Sequence, residues 1–300
     1  MFAWIPVSIA AASFQTVRFM LQKVLSSVTL SPGGATFARF LYSAPFILAG
    51  LALYLAASDQ TLPPLTPAFW IYAAIGGTAQ ILATVCVVAL FKQRNFAVGI
   101  TFKKTEVIQT AIVGLAVLGD PVSLGGWVAI LIGLAAVLVL SRAPDAAGAW
   151  WRHLTNRAAQ LGLGSGVLFA FSAVSYRGAS LQLGDLEPAF RAAVTLAAVV
   201  SLQTLFMGAW LGLRDRGEIA RVWAARKVAV WVGLTSMGGS FCWFWAFTLQ
   251  NAAYVKAVGQ VELLLSLLAS VLFFKEKVTG RELAGMGLLI VSILVLVLAI

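Results

Sequence analysis

Apolar runs of about twenty residues follow one another along this chain, divided by short polar breaks that hold most of its charge. A helix needs about that many residues to cross the hydrocarbon layer of a bilayer. Ten runs qualify, at roughly 2–22, 34–57, 68–91, 95–118, 123–141, 158–180, 187–212, 227–248, 251–274 and 279–299. In lipid a backbone must satisfy its own hydrogen bonds, which favours helices over open strands. The pattern therefore predicts an all-α integral membrane protein with ten transmembrane helices. Pro63, Pro64 and Pro67 mark one break and Ala143-Pro144-Asp145 another. The polar stretch 142–157 separates a first unit, 1–141, from a second, 158–300.

The two units echo each other. Glu106 and Glu262 are 156 positions apart, and the same offset relates Cys86 to Cys242, Asn95 to Asn251, Asp120 to Glu276 and Ser123 to Thr279. Near the starts of the units, Ser13 and Arg18 correspond to Ser172 and Arg177, and Arg39 to Arg191. Each unit holds five runs. An odd number of spans turns the second unit upside down, so the pattern predicts two inverted five-helix repeats. Loop charge agrees. The loop after the second run has no Lys or Arg, while its counterpart after the seventh carries Arg214, Arg216, Arg221, Arg226 and Lys227. The loop after the fourth run has Asp120 alone, and its counterpart has Lys275, Lys277 and Arg281. By the positive-inside rule the odd-numbered loops are cytoplasmic and both termini periplasmic, in a bacterial inner membrane.

Composition narrows the function classes. Of 300 residues, 61% are hydrophobic and 11% charged, and the mean hydropathy is +0.94. Soluble domains carry about 25% charged residues, so lipid must be much of this chain's solvent. The net charge of +10 sits mainly in loops, which points to leaflet contact rather than nucleic acid. One His and two Cys argue against a zinc or iron–sulfur cofactor, and no cofactor is expected. Cys86 and Cys242 read as small hydrophobes. The first run lacks a basic lead and a cleavage site, and is expected to be a retained span. No Gly-x-x-x-x-Gly-Lys-Ser/Thr loop is present, so an ATP motor is unsupported. With a single His, a membrane enzyme is the weaker class.

The candidate chemistry lies in the ninth run and its counterpart, the fourth. A charged side chain at the centre of a bilayer costs roughly 2.5 kcal/mol or more, which makes Glu106 and Glu262 functional candidates. Lys103 is three residues before Glu106 and shares its helical face. The bland alternative is that the two simply neutralise each other. Lys104 points elsewhere and is a candidate to meet Glu262 across the pseudo-twofold axis. On its own helix Glu262 has no lysine at three or four residues, Lys256 being six away. An unpaired carboxyl in a low-dielectric site is suited to exchanging a proton near neutral pH. Gln109 and Gln260 lie within a turn of the two acids and either orient substrate or bridge helices. The eighth run contains Phe241, Trp243, Phe244, Trp245 and Phe247, which either line a pocket, Trp243 foremost, or pack against lipid and core. Arg18 and Arg177 are expected to snorkel to headgroups, with a place at a cavity mouth as the alternative. His153, with Trp150, Trp151 and Arg152, reads as part of an interfacial connector.

The ends of the two units carry further marks: Leu118-Gly119-Asp120-Pro121-Val122-Ser123, then Gly126-Trp127 and Gly133; and Phe274-Lys275-Glu276-Lys277-Val278-Thr279, then Leu283-Ala284-Gly285. With Arg39-Phe40-Leu41 at the second run, these resemble the EamA-type permeases of the drug/metabolite transporter superfamily. The chain departs from that pattern in Phe102-Lys103-Lys104-Thr105-Glu106-Val107, where many members have a proline. The resemblance also implies cytoplasmic termini, opposite to the loop charges. It implies a secondary transporter, with export of an amino acid, a derivative or a similar small amphipathic metabolite the usual activity. The expected partners are a small-molecule substrate, membrane lipid and, for coupling, protons; a monomer and a homodimer both remain open. A lipid or lipid-precursor flippase and a cationic drug exporter are the alternatives.

Overall fold

The computed structural model describes residues 2–28, 30–90, 102–141, 157–265, 268 and 279–299. The readings on Asn95, on Arg142 and the connector with Trp150, Trp151, Arg152 and His153, and on Phe274-Lys275-Glu276-Lys277-Val278 lie outside the described residues. The described chain is helical, with no strand. Its helices are α1 (Trp4–Val28), α2 (Pro32–Leu41), α3 (Ala44–Ala57), α4 (Pro67–Leu90), α5 (Glu106–Leu118), α6 (Leu124–Ser141), α7 (Arg157–Leu181), α8 (Pro188–Arg214), α9 (Arg216–Ala224), α10 (Arg226–Leu249), α11 (Ala252–Gly259) and α12 (Gly280–Leu298).

Five stretches are long and apolar enough to cross a membrane: Pro32–Ala57, which joins α2 and α3, together with α4, α7, α8 and α10. Three shorter apolar helices accompany them, Glu106–Leu118, Leu124–Leu140 and Leu283–Leu298. α1 has the length, at 25 residues, but Gln15, Arg18, Gln22 and Lys23 make it more polar. The chain is an integral, multi-pass membrane protein. Its exposed surface is correspondingly apolar, with Leu53, Leu205, Leu213, Trp231 and Leu294 all more than half exposed.

Packing pairs the two units. α1 lies along α10, α4 along α7, α6 along α12, and α5 against α11. Exchanging the units turns the first of these contacts into the second and the other two into themselves. Without a hydrophobic drive between helices in lipid, close packing must come from small residues. Gly76 of α4 sits where any Cβ would strike Ser175 and Tyr176 of α7, and Gly178 of α7 meets Tyr72 of α4 in the same way.

The expected fourth and ninth spans are not continuous helices. Lys104 and Thr105 form a turn immediately before α5, and Gln260 forms the turn that ends α11, with helix resuming over 261–265. The breaks fall at equivalent positions, since Lys104 and Gln260 are 156 apart. Thr105 opens α5 without a side-chain cap, although its hydroxyl donates to the Phe102 carbonyl at 2.7 Å. Each interruption is a tight turn that keeps right-handed dihedrals and i→i−3 bonds, Thr105 N–H to the Phe102 carbonyl and Gln260 N–H to the Ala257 carbonyl, both at 3.2 Å. Here the breaks adjoin the charged residues.

α5 ends at Gly119, whose φ of 66° is the left-handed conformation glycine adopts without strain. Gly119 N–H bonds the Leu115 carbonyl at 3.2 Å and Asp120 N–H the Gly114 carbonyl at 3.2 Å, closing the helix and aiming the Asp120 side chain at α7.

Candidate functional site

Six of the predicted residues meet between the units. Glu106 is the first residue of α5 and Lys256 is in the last turn of α11. An acid at a helix N-terminus and a base at a C-terminus each complement the helix dipole. The two side chains face each other at 3.7 Å. Lys103, in the helical residues just before the turn that precedes α5, approaches the same carboxylate at 3.7 Å. Lys104 Nζ donates to Glu262 Oε1 at 2.8 Å. Glu262 Oε2 accepts from Gln15 Nε2 of α1 at 2.6 Å, and Gln15 Oε1 in turn accepts from Trp243 Nε1 of α10 at 3.2 Å. The reading that left Glu262 unpaired is corrected here: its partners come from other helices, which same-helix spacing does not reveal.

Aromatic rings wall the cluster. Lys256 lies 4.9 Å from the Trp243 ring centroid and 5.4 Å from that of Phe169, and Lys103 lies 5.2 Å from Phe169 and 5.6 Å from Phe19. Cation–π contacts of this kind gain strength where water is excluded. Trp243 is buried, so the aromatic run of α10 turns this ring inward. Gly259 makes room for it, because any Cβ there would overlap the indole. Lys103, Lys104 and Lys256 are 2%, 3% and 8% exposed, so the cluster is closed to solvent.

The two glutamines stand at its edge. Gln109 Nε2 donates to Thr105 Oγ1 at 3.1 Å, and among the described residues its Oε1 has no hydrogen-bond partner. Gly166 of α7 lies close enough to this oxygen that a side chain there would strike it. Gln260 is buried and caps α11 through its backbone N–H, while its Oε1 also lacks a partner.

Arg18 and Arg177 do not snorkel. Arg18 is 3% exposed, with its guanidinium 4.4 Å from the Phe19 ring centroid. Arg177 Nε donates to Asp120 Oδ2 at 2.6 Å, and its Nη1 reaches the carbonyls of Phe247 at 2.7 Å and Gln250 at 3.0 Å. The sequence reading also passed over Gln15, Phe19 and Phe169. Their only early signal was polarity and aromaticity on helical faces, with Gln15 and Phe19 four residues apart on α1. Among the described residues, no group of His, Cys, Asp and Glu is arranged to hold a metal ion.

Comparison with known proteins agrees with this architecture. A solved structure described as the crystal structure of a protein superposes with a TM-score of 0.70, covering 99% of this chain and 98% of its own at 15% identity. At that identity the likeness speaks for the fold alone. No curated protein matches the chain. Residues 156–298 match the model of the EamA-like transporter family. That match, to one of the membrane transporter families of the drug/metabolite transporter superfamily, covers the second half of the chain and makes that half similar to the EamA-like transporter family.

Proposed function

We propose that this chain is a secondary transporter that moves a small amphipathic metabolite by alternating access, with the buried cluster of Lys103, Lys104, Glu106, Lys256 and Glu262 as its substrate site. The observation that carries the reading is that this cluster straddles the interface of the two units at two broken helices. Discontinuous helices at a repeat interface are how many transporters present charged helix ends to a solute. A purely structural cluster is a weak explanation, because desolvation can exceed the Coulomb gain for buried pairs. Ten spans in two inverted repeats, with boundaries at 141 and 158, complete the proposed architecture. The unit-exchange symmetry of the helix contacts supports it. Loop charge supports a bacterial inner membrane with cytoplasmic odd-numbered loops, and export is the direction we assign.

Proton coupling belongs to the same proposal. Glu106 is the more loosely held acid: both of its lysines are at 3.7 Å, and its Oε2 has no hydrogen bond. Glu262 is held by Lys104 at 2.8 Å and Gln15 at 2.6 Å. The test is flux into proteoliposomes under an imposed proton gradient, across amino acids, amphipathic acids, drug-like cations and fluorescent lipids. Gradient-driven flux of a soluble metabolite is expected. It should fall about tenfold or more in Lys104→Met, the usual scale for losing a charge-assisted hydrogen bond. Coupling should be lost in Glu106→Gln. Flux confined to lipids, or coupling intact in both Glu106→Gln and Glu262→Gln, overturns the respective part.

A further inference from the structure

Beside the lysine–glutamate cluster lies a second set of buried cations. Arg39 of α2 is 3% exposed. Its Nε donates to Ser236 Oγ at 2.6 Å, its Nη1 to Thr84 Oγ1 at 3.0 Å and its Nη2 to Ser240 Oγ at 3.2 Å. All three acceptors are neutral hydroxyls. Among the described residues no carboxylate lies within ion-pair distance of Arg39 or of Arg18. Arg18 is equally buried, and among the described residues its Nε has no hydrogen-bond partner. Arg18 lines a small cavity with Ser236 and Ser240, the same hydroxyls that accept from Arg39. Counted with Lys103, Lys104 and Lys256, the described residues hold five buried cations in this region, and among them the ion pairs to Glu106 and Glu262 engage only the lysines. Two cavities of about 10 Å³ each meet at Ser236 and Ser240. Gln15, Arg18 and Trp243 line one of them, and Phe40 and Gln203 the other. Each has room for about one water in this conformation, so a larger guest enters only when the units part.

Two guanidiniums buried together without an acid are a costly arrangement that a bound anion relieves. The planar guanidinium fork matches an oxyanion and is poorly matched to a cation or a hydrocarbon. We propose that Arg18 and Arg39 form the subsite for an oxyanion, a carboxylate or a phosphate, on an amphipathic solute. Ser236, Ser240 and Gln15 orient the group, and Trp243 forms the apolar wall against which the rest of the solute lies. This deepens the transporter reading by giving its solute an anionic head, and rests on that reading for the word solute. It disfavours a purely cationic drug as cargo.

The experiment is a thermal-stability titration of the purified full chain at constant ionic strength. The probes are benzoate, citrate and inorganic phosphate, with choline and glycerol as non-anionic controls and phosphatidylglycerol in the micelles as a separate arm. A probe that binds should raise the Tm by roughly 5 °C at about a hundred times its Kd. The expected result is a rise with at least one soluble oxyanion and none with choline or glycerol. The rise should be lost in Arg39→Met and Arg18→Met but kept in Arg216→Gln, which removes an exposed charge outside the site. Because the methionine variants also remove an unpaired buried charge, their own Tm without probe should hold or increase. If Arg39→Met does not fold, Arg39→Lys and Arg18→Met carry the test, with a weakened response expected from the first. A response only to phosphatidylglycerol assigns the pair to lipid and overturns the proposal, as does a rise that survives both arginine variants or no rise with any oxyanion. Oxyanion binding in a protein that shows no solute flux would instead overturn the transporter reading alone.

Discussion

Lys104 and Glu262 form the shortest ion pair of the cluster, at 2.8 Å, and they belong to different units. Removing one partner leaves the other as a buried charge without its counter-ion, which typically costs about 3 kcal/mol or more. Removing both together avoids that cost. Lys104→Met and Glu262→Met are therefore each expected to lower stability in a denaturing-detergent titration by about that amount, and the double variant by clearly less than their sum. Additive losses would show that the two side chains do not interact. At this scale the sequence was partly legible. Charged residues in apolar runs announce themselves by rarity, and Lys103, Lys104, Glu106, Lys256 and Glu262 were all visible for that reason. Gln15 was not, because a glutamine on a long helix is unremarkable until its partners, here Glu262 and Trp243, are known.

The element least anticipated is α9, a helix of nine residues inside the basic loop after α8. Asp215 caps it by accepting from Glu218 N–H at 3.2 Å. The Glu218 side chain then leaves its own helix and accepts from Ser31 N–H at the start of α2, at 2.7 Å. Arg221 bonds the same carboxylate. Gly34 is required beneath it, since any side chain there would overlap the carboxylate. Burial raises the Glu218 carboxyl, but the hydrogen bonds from Ser31 and Arg221 outweigh it and hold the group below the ordinary glutamate range. A carboxyl depressed in the folded state contributes stability above its unfolded value and loses it as pH falls through the folded one. The Tm advantage of the native chain over Glu218→Gln should thus be full above about pH 5 and shrink steadily below about pH 4. A difference that does not change over that range would remove the carboxylate from the account. Periodicity finds long apolar helices, and a short amphipathic one in a charged loop leaves no comparable trace.

At the scale of the whole molecule, α10 is the spine. Its 24 residues span about 36 Å. At its start Gly233 packs on Tyr42, whose hydroxyl reaches the Val222 carbonyl at 3.4 Å, beside the Glu218–Ser31 contact. At its end the Phe247 and Gln250 carbonyls receive Arg177, which also holds Asp120. Tyr254 adds a hydroxyl contact to Ser123 N–H at 2.8 Å on that side. The charged cluster and the Arg18–Arg39 pair lie between these two ties, which fits a closed state of an alternating-access cycle. In a chain with Cys86 and Cys242 replaced by serine, Asp120→Asn should speed labelling of Ser240→Cys by a membrane-impermeant thiol reagent added to one face only. Glu218→Gln should do so from the other face. Labelling that rises equally from both faces would mean the ties are not gates. The sequence by itself determined that this is a helical membrane protein with two acids, Glu106 and Glu262, set 156 positions apart in apolar runs. Those properties follow from run length, charge scarcity and fixed offsets, all of which are local or periodic. Only the tertiary structure decided that the helices carrying those acids turn beside them, that Glu262 takes Lys104 and Gln15 as partners, and that Arg18 and Arg39 are both buried around Ser236 and Ser240. Each depends on which faces of distant helices pack together, and residue spacing within one helix does not encode that.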